Sequence, residues 1–255
     1  MGTPLRPAVL LVIASIPLFC CAQSGSLSLD EIVSRMQQAH AAERDRGLAY
    51  VVTREYQLGA AGAQQPSSQV LAQVSFVPPS QKQYAIVKAE GNERGARIVR
   101  KVLDHEISMA AGGQPHEISR ANYGFALLGR ESLDGRDCYV LQLSPKRDAV
   151  ELIRGRAWVD AQDFQIRRID GETAKSPSFW IKNVHLTLNF GEVNGVWLET
   201  ATQATADVRL AGPHVLTSRE LDVQTGSVAA KLSKPRDPRR RQPNIVADTA
   251  AWVAH

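Results

Sequence analysis

From Ser28 to Gly47 the apolar residues Ile32, Val33, Met36 and Ala39 recur at helical spacing and share one face. Ser28, with Glu31 three residues on, forms a capping box that starts this helix, and Gly47 stops it. The period then becomes two. Leu48–Leu58, Gln69–Val77 and Lys82–Ala89 read as strands, parted by a Gly/Ala/Pro/Ser loop over Gly59–Ser68 and by Pro78-Pro79-Ser80. Arg97–Ile107 returns to helical spacing through Ile98, Val99, Val102, Leu103 and Ile107, and Gly112-Gly113-Gln114-Pro115 breaks it. A strand meander follows. Phe125–Ser132 and Cys138–Leu143 flank Asp134-Gly135, a strong hairpin signal. Leu152–Asp160 and Phe164–Gly171 flank Ala161-Gln162, and Phe179–Phe190 and Val196–Ala204 flank Gly191–Gly195. Asp207–Leu210 and Val215–Val223 flank Gly212-Pro213.

Consecutive strands with turn signals at short spacing predict a mainly β (α+β) protein built on an antiparallel sheet of about ten to eleven strands. In Val184-His185-Leu186-Thr187-Leu188-Asn189-Phe190 every second residue is apolar, so one face is greasy and the other wet. Two helices cannot cover the apolar face of so many strands. The sheet must curl on itself, pack on a second sheet, or leave a concavity for a ligand. The expected architecture is a curled sheet or open half-barrel with two or more helices covering its mouth.

The ends of the chain read differently from the middle. Arg6 is the only charge before Asp30, and an apolar run over Ala8–Phe19 leads into Cys20-Cys21-Ala22. A basic start, a short apolar middle and small residues at the cut fit a secretory signal peptide over residues 1–22. Lipoprotein anchoring at Cys20 or Cys21 fits less well, because such signals want a small residue before the lipidated Cys. A mature chain cut after Ala22 keeps a single cysteine, Cys138, so it has no internal disulfide. Cys138 lies in a β-like run and reads as a small buried hydrophobe.

Charge splits the same way. The net charge is +4, but Lys231–Arg241 holds six cations against Asp237, a local +5 that leaves −1 for the rest. The basic balance belongs to a Pro/Arg-rich tail over residues 231–255, expected to be disordered, and says little about the domain at 23–230. Apolar residues at 44 % and charged residues at 22 % exclude wholesale disorder, collagen and coiled coil. Aromatics at 6 % are thin for a nucleic-acid stacking surface or for the girdles of a membrane barrel.

No enzyme constellation is present. The chain lacks Gly-x-Ser-x-Gly, His-Glu-x-x-His and a phosphate-binding Gly-rich loop with its Lys. The histidines at 40, 105, 116, 185, 214 and 255 show no metal-ligand spacing. Asp160 and Asp163 flank a reversal, where Asp serves turn geometry. The expectation is therefore no catalysis, no metal and no cofactor. The aromatics Trp158, Phe164, Phe179, Trp180, Phe190 and Trp197 lie on predicted strands. They either pack between sheet and helices or line a cavity. An acyl chain gains about 0.8 kcal/mol per buried CH2. A chain of twelve carbons thus gains on the order of 10 kcal/mol before ordering costs, and a greasy concave face binds lipid without a polar site. The residues taken to line such a cavity are Trp158, Phe164, Trp180, Leu186, Leu188 and Trp197. Which strand face points inward is not legible, because a one-residue register shift exchanges the faces.

The stretch from Gly95 to Val223 resembles the LolA/LolB-like periplasmic proteins, described as outer-membrane lipoprotein-sorting proteins, a superfamily that includes the RseB/MucB N-terminal domain. The residues that carry the resemblance are Arg97–Glu106, Ile118–Tyr123, Leu133–Leu141, Gly155–Asp160 and Lys175–Lys182. It implies an open β-barrel of about eleven strands with helices over its mouth. It further implies a periplasmic carrier or sensor that holds a lipid or a lipoprotein acyl chain and makes or breaks no bond. An RseB-like regulator that holds a membrane protein's periplasmic segment is the alternative, and a hydrolase with a dispersed site the third. The expected partners are lipid, or a protein at the membrane, and not nucleic acid. Arg239, Arg240 and Arg241 of the tail offer a peripheral contact to anionic headgroups.

Overall fold

The computed structural model describes residues 27–111 and 116–226. The expected signal peptide, the expected breaker over Gly112–Pro115 and the basic stretch expected to be disordered lie outside the described residues. Helix α1 (Leu29–Arg46) begins at the capping box: the Glu31 backbone N–H donates to Ser28 Oγ at 3.2 Å, and the Ser28 N–H donates to Glu31 Oε2 at 3.3 Å. It ends at Gly47, whose φ of 55° closes the helix in the left-handed region without a Cβ clash. Then come β1 (Tyr50–Ala60), β2 (Ser68–Val77), β3 (Gln81–Gly91), α2 (Glu93–Ala111), β4 (Tyr123–Leu133) and β5 (Arg136–Pro145). The chain continues through β6 (Ile153–Asp160), β7 (Ile166–Thr173), β8 (Ile181–Val193), β9 (Val196–Val208) and β10 (Gly212–Thr225).

All ten strands form one antiparallel sheet in the order β3-β2-β1-β10-β9-β8-β7-β6-β5-β4. The sheet is curled and unclosed, with β3 and β4 as its two edges. Helix α2 follows one edge strand and precedes the other, so it carries the chain across the open side, a span of about 28 Å for its 19 residues.

The expected α+β half-barrel is the observed fold, with ten strands and two helices among the described residues. Local differences have local causes. Asp207–Leu210 is not a separate strand: Asp207 and Val208 end β9, and the reversal falls at Arg209–Ala211, before Gly212-Pro213. Leu210 makes this tight turn by adopting φ 68°. Phe164 sits in the β6–β7 turn at φ 58°, and Phe179 and Trp180 precede β8. These three aromatics are therefore off the strands on which alternation placed them.

The register settles the faces. Tyr56, Ser218, Thr202, Leu188, Ile169, Ala157 and Leu141 form one row across seven strands. The adjacent row on the other face runs Gln57, Thr217, Gln203, Thr187, Asp170, Arg156 and Gln142, all polar. Both helices lie on the apolar face. Val99 and Leu103 of α2 pack on Val52, Tyr56, Val70, Ala72 and Val74. Ile32, Val33 and Met36 of α1 pack on Tyr139, Leu141 and Val159. Where β6 and β7 cross, Gly155 pairs with Gly171. A Cβ on Gly155 would lie 2.1 Å from the Asp170 carbonyl oxygen, and one on Gly171 2.4 Å from that of Arg154. The absence of side chains at this crossing lets the two backbones approach closely on the inner face.

Candidate functional site

The helices cover the two flanks of the inner face and leave its middle open. That middle, half-buried, belongs to β8, β9 and β10. Leu186 pairs with Ala204 and Ala204 with Leu216, while Leu188 and Phe190 continue the same side of β8. All five residues are half-buried. Leu186, Leu188 and Phe190 pack against the core of β5, β6 and β7, and Leu216 against the core under α2. The result is a half-buried strip, apolar at these five positions and interrupted by Thr202 and Ser218, that runs between two helix-covered flanks.

A polar cluster borders this strip on the α2 side. Arg54 is 5 % exposed yet lies on the inner face between Val52 and Tyr56. Its guanidinium donates to Glu106 Oε1 on α2 at 3.0 Å and to the Glu199 carbonyl on β9 at 3.0 Å. Lys82 Nζ stands 3.3 Å from Glu106 Oε2. Burial alone pushes the Glu106 carboxyl up, but Lys82 and Arg54 beside it hold it below the ordinary carboxylate range. Burial pushes the Tyr56 phenol and the Glu220 carboxyl up, and Glu220 stands opposite Arg54 in the β1–β10 register without a hydrogen bond to its Oε2. One arginine thus ties α2, β1 and β9 together at the margin of the open strip.

The six residues expected to line a cavity are distributed over the molecule. Leu186 and Leu188 lie together on the open strip. Trp158 pairs with Val140 on the opposite, outer face, is 6 % exposed, and donates from Nε1 to Glu131 Oε2 at 2.8 Å. Phe164 stacks on Tyr139 at 6.3 Å under Arg35, at the foot of α1. Trp180 and Trp197 stand at opposite ends of the β8–β9 hairpin. Trp180 meets Phe179 edge-on at 5.5 Å. Trp197 lies under Arg167 at 4.4 Å, and its backbone N–H donates to Glu43 of α1 at 3.1 Å. Sequence reasoning passed over Ala204, Leu216 and Arg54. The signal for Arg54 was there: it shares the parity of Val52, Tyr56 and Leu58 and so breaks an apolar face.

Two surface concavities include none of the six, although Phe190 of the strip lines the second. One, of about 360 Å³, is lined by Glu55, Gln57, Thr217, Ser218 and Arg219. The other, of about 400 Å³, is lined by residues that include Arg136, Arg167, Arg168 and Asn189. Both are polar and internally paired, with Arg219 on Glu55 and with Arg136 and Arg167 on Asp160. Cys138 is fully buried, and burial pushes its thiol up to about 11. Among the described residues there is no cluster of three metal-binding side chains and no helix long and apolar enough to cross a membrane.

No protein-family model and no curated protein sequence matches the chain. Among solved structures it is similar to a putative outer membrane lipoprotein-sorting protein domain from Vibrio parahaemolyticus. That match is 14 % identical, covers 78 % of this chain and 93 % of that one, and has a TM-score of 0.43. A LolA superfamily protein from Nitrosomonas europaea is 14 % identical over 82 % of this chain and 99 % of its own, with a TM-score of 0.39. MucB is 11 % identical over 81 % and 96 %, with a TM-score of 0.28. The likeness is one of fold.

Proposed function

We propose that the protein is an exported carrier or sensor that holds a lipid or lipoprotein acyl chain on the inner face of its sheet. The observation that carries this reading is the open strip of Leu186, Leu188, Phe190, Ala204 and Leu216 between two helix-covered flanks. These residues lie on the face where the core is built, yet no helix covers them fully, which leaves apolar surface for a ligand to bury. An alkyl chain laid there gains about 0.8 kcal/mol per CH2 removed from water, with no polar anchor required. The reading involves no bond made or broken. The signal peptide over residues 1–22 and the tail over residues 231–255 belong to the same proposal: export brings the domain to the envelope, where such ligands are found.

The test is extraction. The mature protein is exported, purified without detergent, extracted with organic solvent, and the extract analysed by mass spectrometry. A lipid or fatty acid near one per protein is expected. Leu188→Asn and Leu186→Asn should lose most of it, while Trp158→Ala, altered on the outer face, should retain it. An empty extract, together with no uptake of a fluorescent dodecanoate analogue by the folded protein, refutes the reading.

A further inference from the structure

The end of the molecule formed by the start of β8 and the β9–β10 turn exposes apolar side chains that folding does not explain. Leu210 is 98 % exposed and Phe179 66 %. They belong to one patch: the Arg209 N–H donates to the Trp180 carbonyl at 2.9 Å, and the Arg209 guanidinium carbon lies 3.7 Å from the Phe179 ring centroid. Trp180, half-buried, meets Phe179 edge-on behind them.

Leu210 is anomalous in its backbone as well. Its φ of 68° is in the left-handed region, where an L side chain is strained and where turns take Gly, Asn or Asp. The other non-glycine residues at positive φ among the described residues are Asp134, Asn183, Asn194 and Phe164. Three of these are the tolerated types, and Phe164 is stacked on Tyr139. Leu210 is neither a tolerated type nor packed. It is unfavourable in its conformation and in its exposure at once, which points to a role outside the fold.

The surroundings indicate the partner. Over residues 175–183 and 207–212 the charges are Lys175, Lys182 and Arg209 against Asp207, a net +2, and Asp207 already accepts from Asn183. Three apolar side chains on a hairpin tip are far too few for a stable protein interface, which buries on the order of 1,000 Å² or more. Leu and Phe at the point, Trp behind them and Lys and Arg around them suit the boundary between headgroups and acyl chains. We propose that this tip docks the protein on a lipid bilayer that carries anionic headgroups. Leu210 and Phe179 enter the interface, and Arg209, Lys175 and Lys182 face the phosphates. The proposal does not depend on the cargo reading, since the tip lies outside the open strip.

The experiment is co-sedimentation of the full mature chain with vesicles of phosphatidylethanolamine and phosphatidylglycerol, beside vesicles of phosphatidylcholine. It is run also in a background with Arg239, Arg240 and Arg241 changed to Gln, so that the tail is not mistaken for the tip. In that background the otherwise unaltered protein should still bind the anionic vesicles. Each basic residue at the surface is worth on the order of fivefold in partitioning, so Arg209→Gln should weaken binding by about that factor. Leu210→Gly and Phe179→Ser should weaken it at least as much. Leu128→Ser, at an exposed site on the β4 edge, should not. Leu210→Gly should also melt at the same temperature as the parent or higher, because Gly adopts this φ freely. The stability readout separates loss of binding from loss of fold. Leu210→Gly binding like the parent, binding that vanishes with the tail arginines alone, or a Leu210-dependent dimer without vesicle binding would each overturn the proposal.

Discussion

Removal of the Glu106 carboxylate tests how α2 is held to the sheet. Arg54 is 5 % exposed, and its ion pair with Glu106 is the polar tie between β1 and that helix. Breaking one half of a buried pair costs about 3–5 kcal/mol, because the remaining charge stays desolvated and uncompensated. Two features reduce that here. The Glu106 side chain is 26 % exposed, and Arg54 keeps its bond to the Glu199 carbonyl. The expected loss for Glu106→Ala is therefore about 2–3 kcal/mol. In a domain of this size that is a fall in melting temperature of about 5–10 °C, read by circular dichroism. Amide exchange in α2 should rise more than in β5–β7. Replacing both partners, Arg54→Met with Glu106→Leu, should recover much of the loss, since no charge is then left buried. The pH dependence has a defined sign. Glu106 is held below its unfolded value of about 4.3. The contribution of the pair is therefore complete above that pH and fades as the pH falls through the lower folded value. The gap between parent and Glu106→Ala should close in acid. A change below about 2 °C at neutral pH, or a double variant as unstable as Glu106→Ala, would refute the reasoning.

Three further outcomes are expected. Gly171→Ala should destabilise by about 1–3 kcal/mol by forcing β6 and β7 apart, whereas Gly124→Ala, whose Cβ would meet nothing closer than 3.8 Å, should be close to neutral in denaturant unfolding. Cys138, buried and with its thiol pushed up to about 11, should resist thiol reagents at pH 8 and react only as fast as the protein unfolds. Asp160 is 1 % exposed, accepts from Arg136 at 3.0 Å, Arg167 at 3.1 Å and the Gln162 N–H at 2.8 Å, and is held low by these donors against the upward push of burial. Asp160→Ala should cost about 3 kcal/mol at neutral pH, and the parent should lose that advantage as the pH drops below about 4.

What the sequence determined by itself is local. The capping box at Ser28 and Glu31, the stop at Gly47, the Asp134-Gly135 hairpin and the period-two runs act between residues a few positions apart, and they specified about ten to eleven antiparallel strands with two amphipathic helices, of which the structure has ten strands and two helices among the described residues. That Leu186 and Leu188 share one face was legible for the same reason, since they are alternate residues of one strand, whereas which face points inward was not. Tertiary structure decided what depends on register and on distant neighbours. Trp158 and Leu188 look equivalent as apolar residues on predicted strands, yet pairing with Val140 turns Trp158 to the outer face while pairing with Thr202 keeps Leu188 inside. A shift of one residue in either ladder would exchange them, and no local preference forbids that shift. Arg54 acquires its meaning only when Glu106 arrives from α2, and Leu210 only when the chain around it leaves its side chain in water at a positive φ. Short-range physics chose the elements; the pairing of strands far apart in the chain chose which side chains share a face, and with them the open strip and the exposed tip.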